Sequence, residues 1–145
     1  MVADRSEAGL ASVRPDADSA PRRRPKNRKA QIVGVAARAF AERGYHPVGV
    51  DEIAAEVGIS GPALYRHFTN KYALLVAAAE MGAQQLLDAA KAADDPRLEP
   101  EPRLTALIRG IAEHTIERRR EGGLYRWERR YLERADRARI RVIYI

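Results

Sequence analysis

Cysteine is absent from the 145-residue chain, and aromatic residues are scarce, with two Phe, one Trp and six Tyr. Without cysteine the protein has no disulfide framework, no thiolate metal site and no cysteine nucleophile. No stretch reaches the roughly 18 uninterrupted apolar residues of a membrane span, and the polar N-terminus lacks the apolar segment of a signal peptide. We therefore expect a soluble, cytoplasmic globular protein.

Patterns that would indicate an enzyme are also missing. No nucleophile stands beside a base, and no glycine-rich loop is arranged to cradle a phosphate. The three histidines, His46, His67 and His114, are dispersed and have no acidic residue at ligand spacing. The sequence predicts a protein that is not an enzyme and that holds no metal or cofactor.

Positive charge is in excess and is unevenly placed. The net charge is +6, and the isoelectric point is near 10.0. Residues 1–29 carry 8 basic and 4 acidic groups, and residues 118–145 carry 10 and 4. A basic protein of this kind favours a polyanionic partner such as nucleic acid.

The first 25 residues show no apolar periodicity and predict a disordered basic arm. Arms of this kind often follow a phosphate backbone or enter a minor groove, and a merely solubilising tail is the equal alternative. The basic cluster comprises Arg22, Arg23, Arg24, Lys26, Arg28 and Lys29.

Helical spacing of apolar residues dominates the middle of the chain, which predicts an all-α fold. A first helix is expected over 27–43, ended by Gly44, and a second from Val50 to Gly58. Ser60 is placed to cap a short third helix over 61–68. Thr69 and Asn70 offer a cap for a long fourth helix that ends near Ala92.

Two further helices are expected after a proline-rich interruption at 94–102. The fifth contains Leu104 and Ile111 and should end near Gly122 and Gly123, where glycine favours a stop. The sixth should run unbroken from Leu124 towards Ile145. Residues 140–145 alternate well enough to form a strand, but we interpret them as helix.

Residues 49–68 have the spacing of a helix-turn-helix unit, in which two short helices are joined by a glycine-containing turn. Ile53, Leu64 and Phe68 can pack the pair against the first helix. That arrangement leaves an outward surface that could meet DNA, formed by Gly61, Pro62, Ala63, Tyr65, Arg66 and His67.

The same stretch closely resembles the N-terminal domain of TetR-type transcriptional regulators. The resemblance covers about residues 27–90 and fixes residue type at more than a dozen spaced positions. The residues that carry it are Ile32, Ala36, Ala37, Phe40, Gly44, Tyr45, Ile53, Ala54, Val57, Gly58, Ile59, Ser60, Leu64, Tyr65, His67, Phe68, Lys71, Leu74 and Leu75.

The resemblance implies a three-helix DNA-binding domain over 26–90 whose recognition helix is 61–68. It also implies a role for each matching residue, and the chemistry agrees, since Arg grips guanine bidentately while Tyr and Lys donate to phosphate oxygens. The implied base contacts are Gly61, Pro62, Ala63 and Arg66, and the implied phosphate contacts are Tyr65, His67 and Lys71.

One position departs from the family pattern. The family usually has Ser or Thr where this chain has Gly49, and that hydroxyl caps the second helix and often touches a phosphate. Glycine caps adequately but supplies no side-chain contact. The basic arm is expected to compensate, with Arg43 and Lys29 as further phosphate partners.

Residues 91–145 are expected to form a partial, shortened all-α regulatory part. TetR-type regulators carry there a larger helical domain that binds a small effector and dimerises, and fewer helices remain in this chain than the family usually has. Candidate effector-pocket residues are His114, Tyr125, Trp127 and Tyr131, although an aromatic stripe at this spacing is more often core.

These observations favour a ligand-responsive transcriptional repressor that binds double-stranded DNA. A homodimer would place two recognition helices in successive major grooves of a palindromic operator. The alternative is a truncated helical interaction module that depends on a full-length relative as its partner.

Overall fold

The computed structural model describes residues 25–119 and 129–143. Within these ranges the fold is all-α, as predicted. The elements are α1 (Pro25–Arg43), α2 (Val50–Val57), α3 (Gly61–His67), α4 (Lys71–Ala93), α5 (Pro100–Glu117), a 3-10 turn (Arg129–Tyr131) and α6 (Arg134–Ile143).

The first four helices begin and end where local chemistry dictates. Gly44 has φ 87° after α1, and Gly58 has φ 83° after α2, both in the left-handed region that favours glycine. The Ser60 side chain accepts the Ala63 N–H at 3.2 Å, and the Asn70 side chain accepts the Ala73 N–H at 2.8 Å. The predicted caps of α3 and α4 are therefore confirmed.

The main core joins α1, α2, α3 and α4, which together we call the head. Phe40, Ile53, Leu64 and Leu75 have no exposed surface and lie at its centre. Fully burying a side chain of this size stabilises the fold by about 1.5–3 kcal/mol. The head thus has a hydrophobic core of its own, which fixes the direction in which α3 faces.

The α5 helix begins earlier and ends earlier than the sequence suggested. Pro100 and Pro102 lie in its first turn rather than before it, where a missing backbone N–H costs nothing. Its end is Glu117, because Arg118 already has non-helical backbone angles. The expected stop at Gly122 and Gly123 lies outside the described residues. The helix packs against α4.

The prediction of one unbroken sixth helix was wrong. The described part consists of the 3-10 turn, a break at Leu132 and Glu133, and α6. The buried Leu132 enters the head core, and the Glu133 N–H donates to the Tyr72 hydroxyl at 2.9 Å. These tertiary contacts replace the bonds that a continuous helix would make. Residues 140–143 are helical, so the strand alternative fails there.

Candidate nucleic-acid interface

The α2 and α3 helices form a helix-turn-helix unit held together by a tight turn. The N–H groups of Gly58 and Ile59 both donate to the Ala54 carbonyl, at 3.0 Å each. Gly58 has φ 83°, a left-handed backbone angle that glycine adopts without the steric cost that other residues incur. The turn fixes α3 directly after α2, as the sequence predicted.

The buried side of the unit matches the sequence prediction. Ile53, Ala54, Leu64 and Phe68 belong to the core, and the half-buried Ile59 packs against it. Leu64 is the residue of α3 that is completely buried in the core. The other residues of this short helix are at least partly exposed.

The outward side of α3 carries the predicted DNA contacts. Pro62 and Arg66 are exposed, and Tyr65 keeps 50% of its surface accessible. The other predicted contacts on this helix, Gly61, Ala63 and His67, are half-buried.

An acidic group lies beside the start of α3. The exposed Asp51 carboxylate on the first turn of α2 would lie 2.7 Å from a Cβ atom at Gly61, and this flexible side chain could rotate away from it. The neighbourhood of Asp51 and Gly61 could not be predicted from the sequence, because it depends on the relative placement of two helices.

Lys71 is held at the start of α4. Its ammonium group donates to the His46 carbonyl at 3.1 Å and lies 4.6 Å from the centre of the Tyr45 ring. The half-buried side chain is thus positioned by the loop between α1 and α2. Sequence reasoning missed this role of His46, since a backbone acceptor leaves no signal in the residue type.

The basic cluster before α1 is only partly described. Arg22, Arg23 and Arg24 lie outside the described residues. Lys26, Arg28 and Lys29 belong to α1 rather than to an extended arm, because the helix begins at Pro25. Arg28 and Lys29 are exposed, and the Lys29 ammonium lies 5.3 Å from the centre of the Phe68 ring. The start of α1 therefore adjoins the end of α3.

Arg43 is engaged within the head. Its guanidinium donates to Glu56 at 2.8 Å and lies 3.9 Å from Glu52, so it joins the end of α1 to α2. The hydrogen bond to Glu56 raises the pKa of Arg43 above its ordinary value. Arg43 thus has two carboxylate neighbours, Glu52 and Glu56, and its contact with phosphate stays a prediction.

A known protein family matches the part of the chain that contains the helix-turn-helix unit. Residues 32–78 match the family described as bacterial regulatory proteins, tetR family. This segment of the chain is therefore similar to the DNA-binding part of tetR-family proteins. The matched segment contains the whole helix-turn-helix unit together with most of α1 and the start of α4.

Individual proteins agree with this similarity to the tetR family. The HTH-type transcriptional activator FasR of Mycolicibacterium smegmatis is 35% identical over 81 residues, which are 56% of this chain and 37% of FasR. The uncharacterized HTH-type transcriptional regulator YerO of Bacillus subtilis is 43% identical over 53 residues, 37% of this chain and 18% of YerO.

Solved structures resemble this chain over a longer stretch. A tetR-family regulatory protein from Rhodococcus RHA1 has a TM-score of 0.74 and 30% identity, covering 81% of this chain and 62% of that one. PfmR, from Thermus thermophilus, has a TM-score of 0.70 at 24% identity and covers 79% and 62%. The chain thus spans less than two thirds of these structures and little more than a third of FasR.

Gly49 keeps its departure from the family pattern. It occupies the N-cap of α2 with extended backbone angles, φ −90° and ψ 151°, and makes no side-chain cap. The carboxylates of Asp51 and Glu52 lie in the first turn, where they favour the helix dipole.

Two of the four candidate effector residues, Tyr131 and His114, lie in the described structure. Tyr131 packs against the head, with its ring centre 5.4 Å from Tyr45 and 4.6 Å from His46. His114 is half-buried on α5, and Tyr125 and Trp127 lie outside the described residues. An open groove of about 390 Å³ lies on α5, and its lining residues are Glu101, Pro102, Thr105, Ala106 and Arg109. The effector pocket stays a prediction.

Among the described residues, no helix combines the length and the apolar character that crossing a membrane requires.

Proposed function

We propose that this protein is a DNA-binding transcriptional regulator whose α3 helix enters the major groove. The observation that carries the proposal is the outward face of α3. Pro62, Tyr65 and Arg66 are exposed there, while the opposite face is anchored in the core by Leu64. Helix-turn-helix proteins read base edges with a second helix presented in this way.

The side chains on this face suit different parts of the duplex. Arg66 carries a planar fork that can bind O6 and N7 of guanine, and Pro62 and Ala63 offer apolar contact to a thymine methyl group. Tyr65 and Lys71 supply donors for phosphate oxygens, which position the protein without reading sequence. His67 is half-buried at the end of α3 and completes the proposed phosphate contacts.

The mode of regulation forms the finer part of the proposal. We expect a homodimer that spans a palindromic operator, represses transcription by occupying it, and releases it when a small effector binds the C-terminal helices. An effector can act only through its difference in affinity between the DNA-binding state and the released state. FasR, by its name, is an activator. A reporter gene placed under the selected operator would distinguish repression from activation.

The experiment is a titration of labelled duplex DNA followed by fluorescence anisotropy. The operator is first selected from a random-sequence pool with the full chain. Tyr65→Phe and Lys71→Ala should weaken binding to operator and random duplex alike, since phosphate contacts carry no sequence information. Arg66→Ala should lose about 1–3 kcal/mol of discrimination at one base position.

Arg109→Ala is the matched control. Arg109 is exposed on α5, so the substitution removes one positive charge at a site remote from α3. It should change neither the operator preference nor the affinity beyond a small general effect of charge. If all three head variants bind like the wild type, or if Arg109→Ala has the same effect as Arg66→Ala, the proposed function is wrong.

A second candidate function is a helical interaction module that pairs with a longer relative. The observation that favours it is the outer side of α5, where Leu104 and Ile108 are 58% and 60% exposed. Light scattering during size exclusion, with and without a co-expressed tetR-family protein, would separate the two functions. A stable mixed complex that no longer binds the operator would support the second function, and unchanged DNA binding would exclude it.

A further inference from the structure

The 3-10 turn before α6 packs against the same loop that positions Lys71. The Tyr131 ring meets the His46 ring edge to face, with 4.6 Å between centres, and lies 5.4 Å from the Tyr45 ring. Tyr45 and His46 are also the residues that hold the Lys71 ammonium. The C-terminal region and a proposed phosphate contact are therefore joined through one cluster of rings.

The contacts between α6 and α4 place the start of α6, and the 3-10 turn before it, near the end of α4 that carries Lys71. The Tyr72 hydroxyl donates to Asp136 at 2.6 Å and accepts the Glu133 N–H. Further along, Arg139 pairs with Glu80. Glu80 lies eight residues beyond Tyr72, about 12 Å at the helical rise per residue. As the chain proceeds, α6 therefore moves away from the end of α4 that carries Lys71.

Three exposed arginines lie in the 3-10 turn and at the start of α6. We call them the proximal arginines: Arg129, Arg130 and Arg134. The ion pairs found in the described part of the chain do not include them, whereas Arg139 pairs with Glu80 and Asp136. The Arg130 guanidinium lies 4.8 Å from the centre of the Tyr131 ring, which ties it to the ring cluster. Glu133 is the acidic residue that stands between Arg130 and Arg134.

Exposed arginines beside a phosphate-binding lysine suit a polyanion. A guanidinium group binds phosphate through two parallel hydrogen bonds, and each phosphate that it neutralises releases counterions. Duplex DNA continues past the base pairs that α3 would read, so its backbone supplies phosphates on either side. Free phosphate offers only one such group and would engage one arginine at a time.

We propose that the proximal arginines form a second phosphate-binding patch, which contacts the DNA backbone beside the phosphates bound by Lys71. This inference rests on the proposed function, since it extends the same interface. The patch makes the C-terminal region part of the DNA-binding surface, and it adds affinity without adding sequence preference.

The test compares two double variants of the full chain on a fluorescein-labelled duplex of random sequence, titrated over a range of NaCl concentrations. Arg129→Gln with Arg130→Gln removes two positive charges next to the ring cluster. Arg109→Gln with Arg141→Gln removes two exposed charges elsewhere. The first variant should reduce the slope of log affinity against log salt by about one for each lost contact, and the second should leave it unchanged.

Conservative replacement separates charge from structure. Arg129→Lys with Arg130→Lys keeps both charges and should retain the wild-type slope, while a lost slope in this variant would point to a packing role and overturn the proposal. Circular dichroism checks that every variant is folded.

The possible failures are distinguishable. If Lys71→Ala weakens binding but the proximal double variant behaves like the wild type, the patch is wrong and the proposed function stands. If both double variants reduce the slope equally, the effect is one of total charge and the patch is again wrong. If the wild type binds no duplex, the proposed function fails and this inference falls with it.

Discussion

The head and the C-terminal region are stabilised in different ways. Of the 21 buried apolar residues in the described chain, 19 lie between Ile32 and Ala83, and the other two are Leu132 and Ile140. No residue of α5 is buried. The head is held by a hydrophobic core that Leu132 and Ile140 also enter, whereas α5 adds no buried residue to that core and packs against α4.

Two of the contacts show how α5 packs against α4. Arg103 on α5 donates to Asp94 at 2.8 Å, and Gly110 lies against Ala89 and Ala93. Contact with Arg103 lowers the pKa of Asp94, chiefly through the hydrogen bond. A surface ion pair of this kind contributes little stability. The comparison teaches that the buried core positions α3, and that α5 contributes no buried side chain to that core.

The largest effect is expected from a cavity in the head. Phe40 has no exposed surface, so Phe40→Ala should lower the free energy of unfolding by about 3–5 kcal/mol. Ile108→Ala on α5 removes a side chain that is already 60% exposed and should change it by less than about 0.5 kcal/mol. Urea unfolding followed by circular dichroism measures both. Equal losses would show that α5 contributes to the core as much as α1 does.

A smaller effect is expected where α5 meets α4. A Cβ atom at Gly110 would lie 2.4 Å from the Ala93 Cβ, so Gly110→Ala must push the two helices apart. We expect a net loss of about 1–2 kcal/mol, because overpacking outweighs the gain in helix propensity.

Gly82→Ala is the control for Gly110→Ala. The added Cβ would meet nothing within 4 Å, so this variant should gain up to about 1 kcal/mol from helix propensity. Hydrogen exchange of the α5 amides locates the change. If Gly110→Ala is as stable as Gly82→Ala, the close approach of α4 and α5 is not the contact that holds them.

The contact between Tyr72 and α6 should make the stability of the protein depend on pH. The expected change in stability is no larger than that expected for Gly110→Ala. Burial, followed by the hydrogen bond to Asp136, raises the pKa of Tyr72 above its ordinary 10.0. The folded protein then holds this proton more tightly than the unfolded chain does. The resulting stability is complete below pH 10.0 and is lost as the pH rises through the raised pKa.

Tyr72→Phe tests this contact. It should cost about 1 kcal/mol at neutral pH through the lost hydrogen bonds. Its Tm should also fall less steeply than that of the wild type above about pH 10, since the difference between the two curves isolates Tyr72 from the other alkaline groups. Parallel curves would contradict the assignment of the raised pKa to this tyrosine.

The sequence predicted the head well because its signals are local. Ser60, Asn70 and Gly58 act through bonds to residues within four positions of themselves, and apolar spacing marks the core face. The same reasoning failed at Leu132 and Glu133, where contacts to residues some 60 positions away interrupt a helical pattern. The neighbours of Tyr131 could not be predicted for the same reason, since spacing alone does not reveal that it packs on Tyr45 and His46.

The DNA-facing residues of α3 could be proposed from the sequence, and they stay predictions until binding is measured. The supports around them could not be proposed. The His46 carbonyl that holds Lys71, and the Asp51 carboxylate beside Gly61, depend on where one helix lies relative to another. Arg43 stays a predicted phosphate partner, and its ion pair with Glu56 is a contact between two helices that the sequence did not reveal.

The smallest effect is expected at Gly49, where a single substitution should strengthen the head without changing the C-terminal region. The extended backbone there suits any residue, and an added Cβ would meet Glu52 only at an ordinary 3.8 Å. Gly49→Ser would place a hydroxyl at the N-cap with Glu52 three residues later, the pattern of a capping box. The free energy of unfolding should rise by a few tenths of a kcal/mol.

The same hydroxyl should also tighten binding to random duplex DNA, because it adds a donor for a phosphate oxygen, the contact that the family resemblance implies at this position. Gly49→Ala is the control, since it adds the Cβ atom but no acceptor or donor, and it should lose stability and gain no affinity. Fluorescence anisotropy measures the DNA affinity of each variant, and urea unfolding measures its free energy of unfolding. If alanine serves as well as serine, the α2 N-cap does not face the backbone, and the orientation proposed for the head on DNA must be revised.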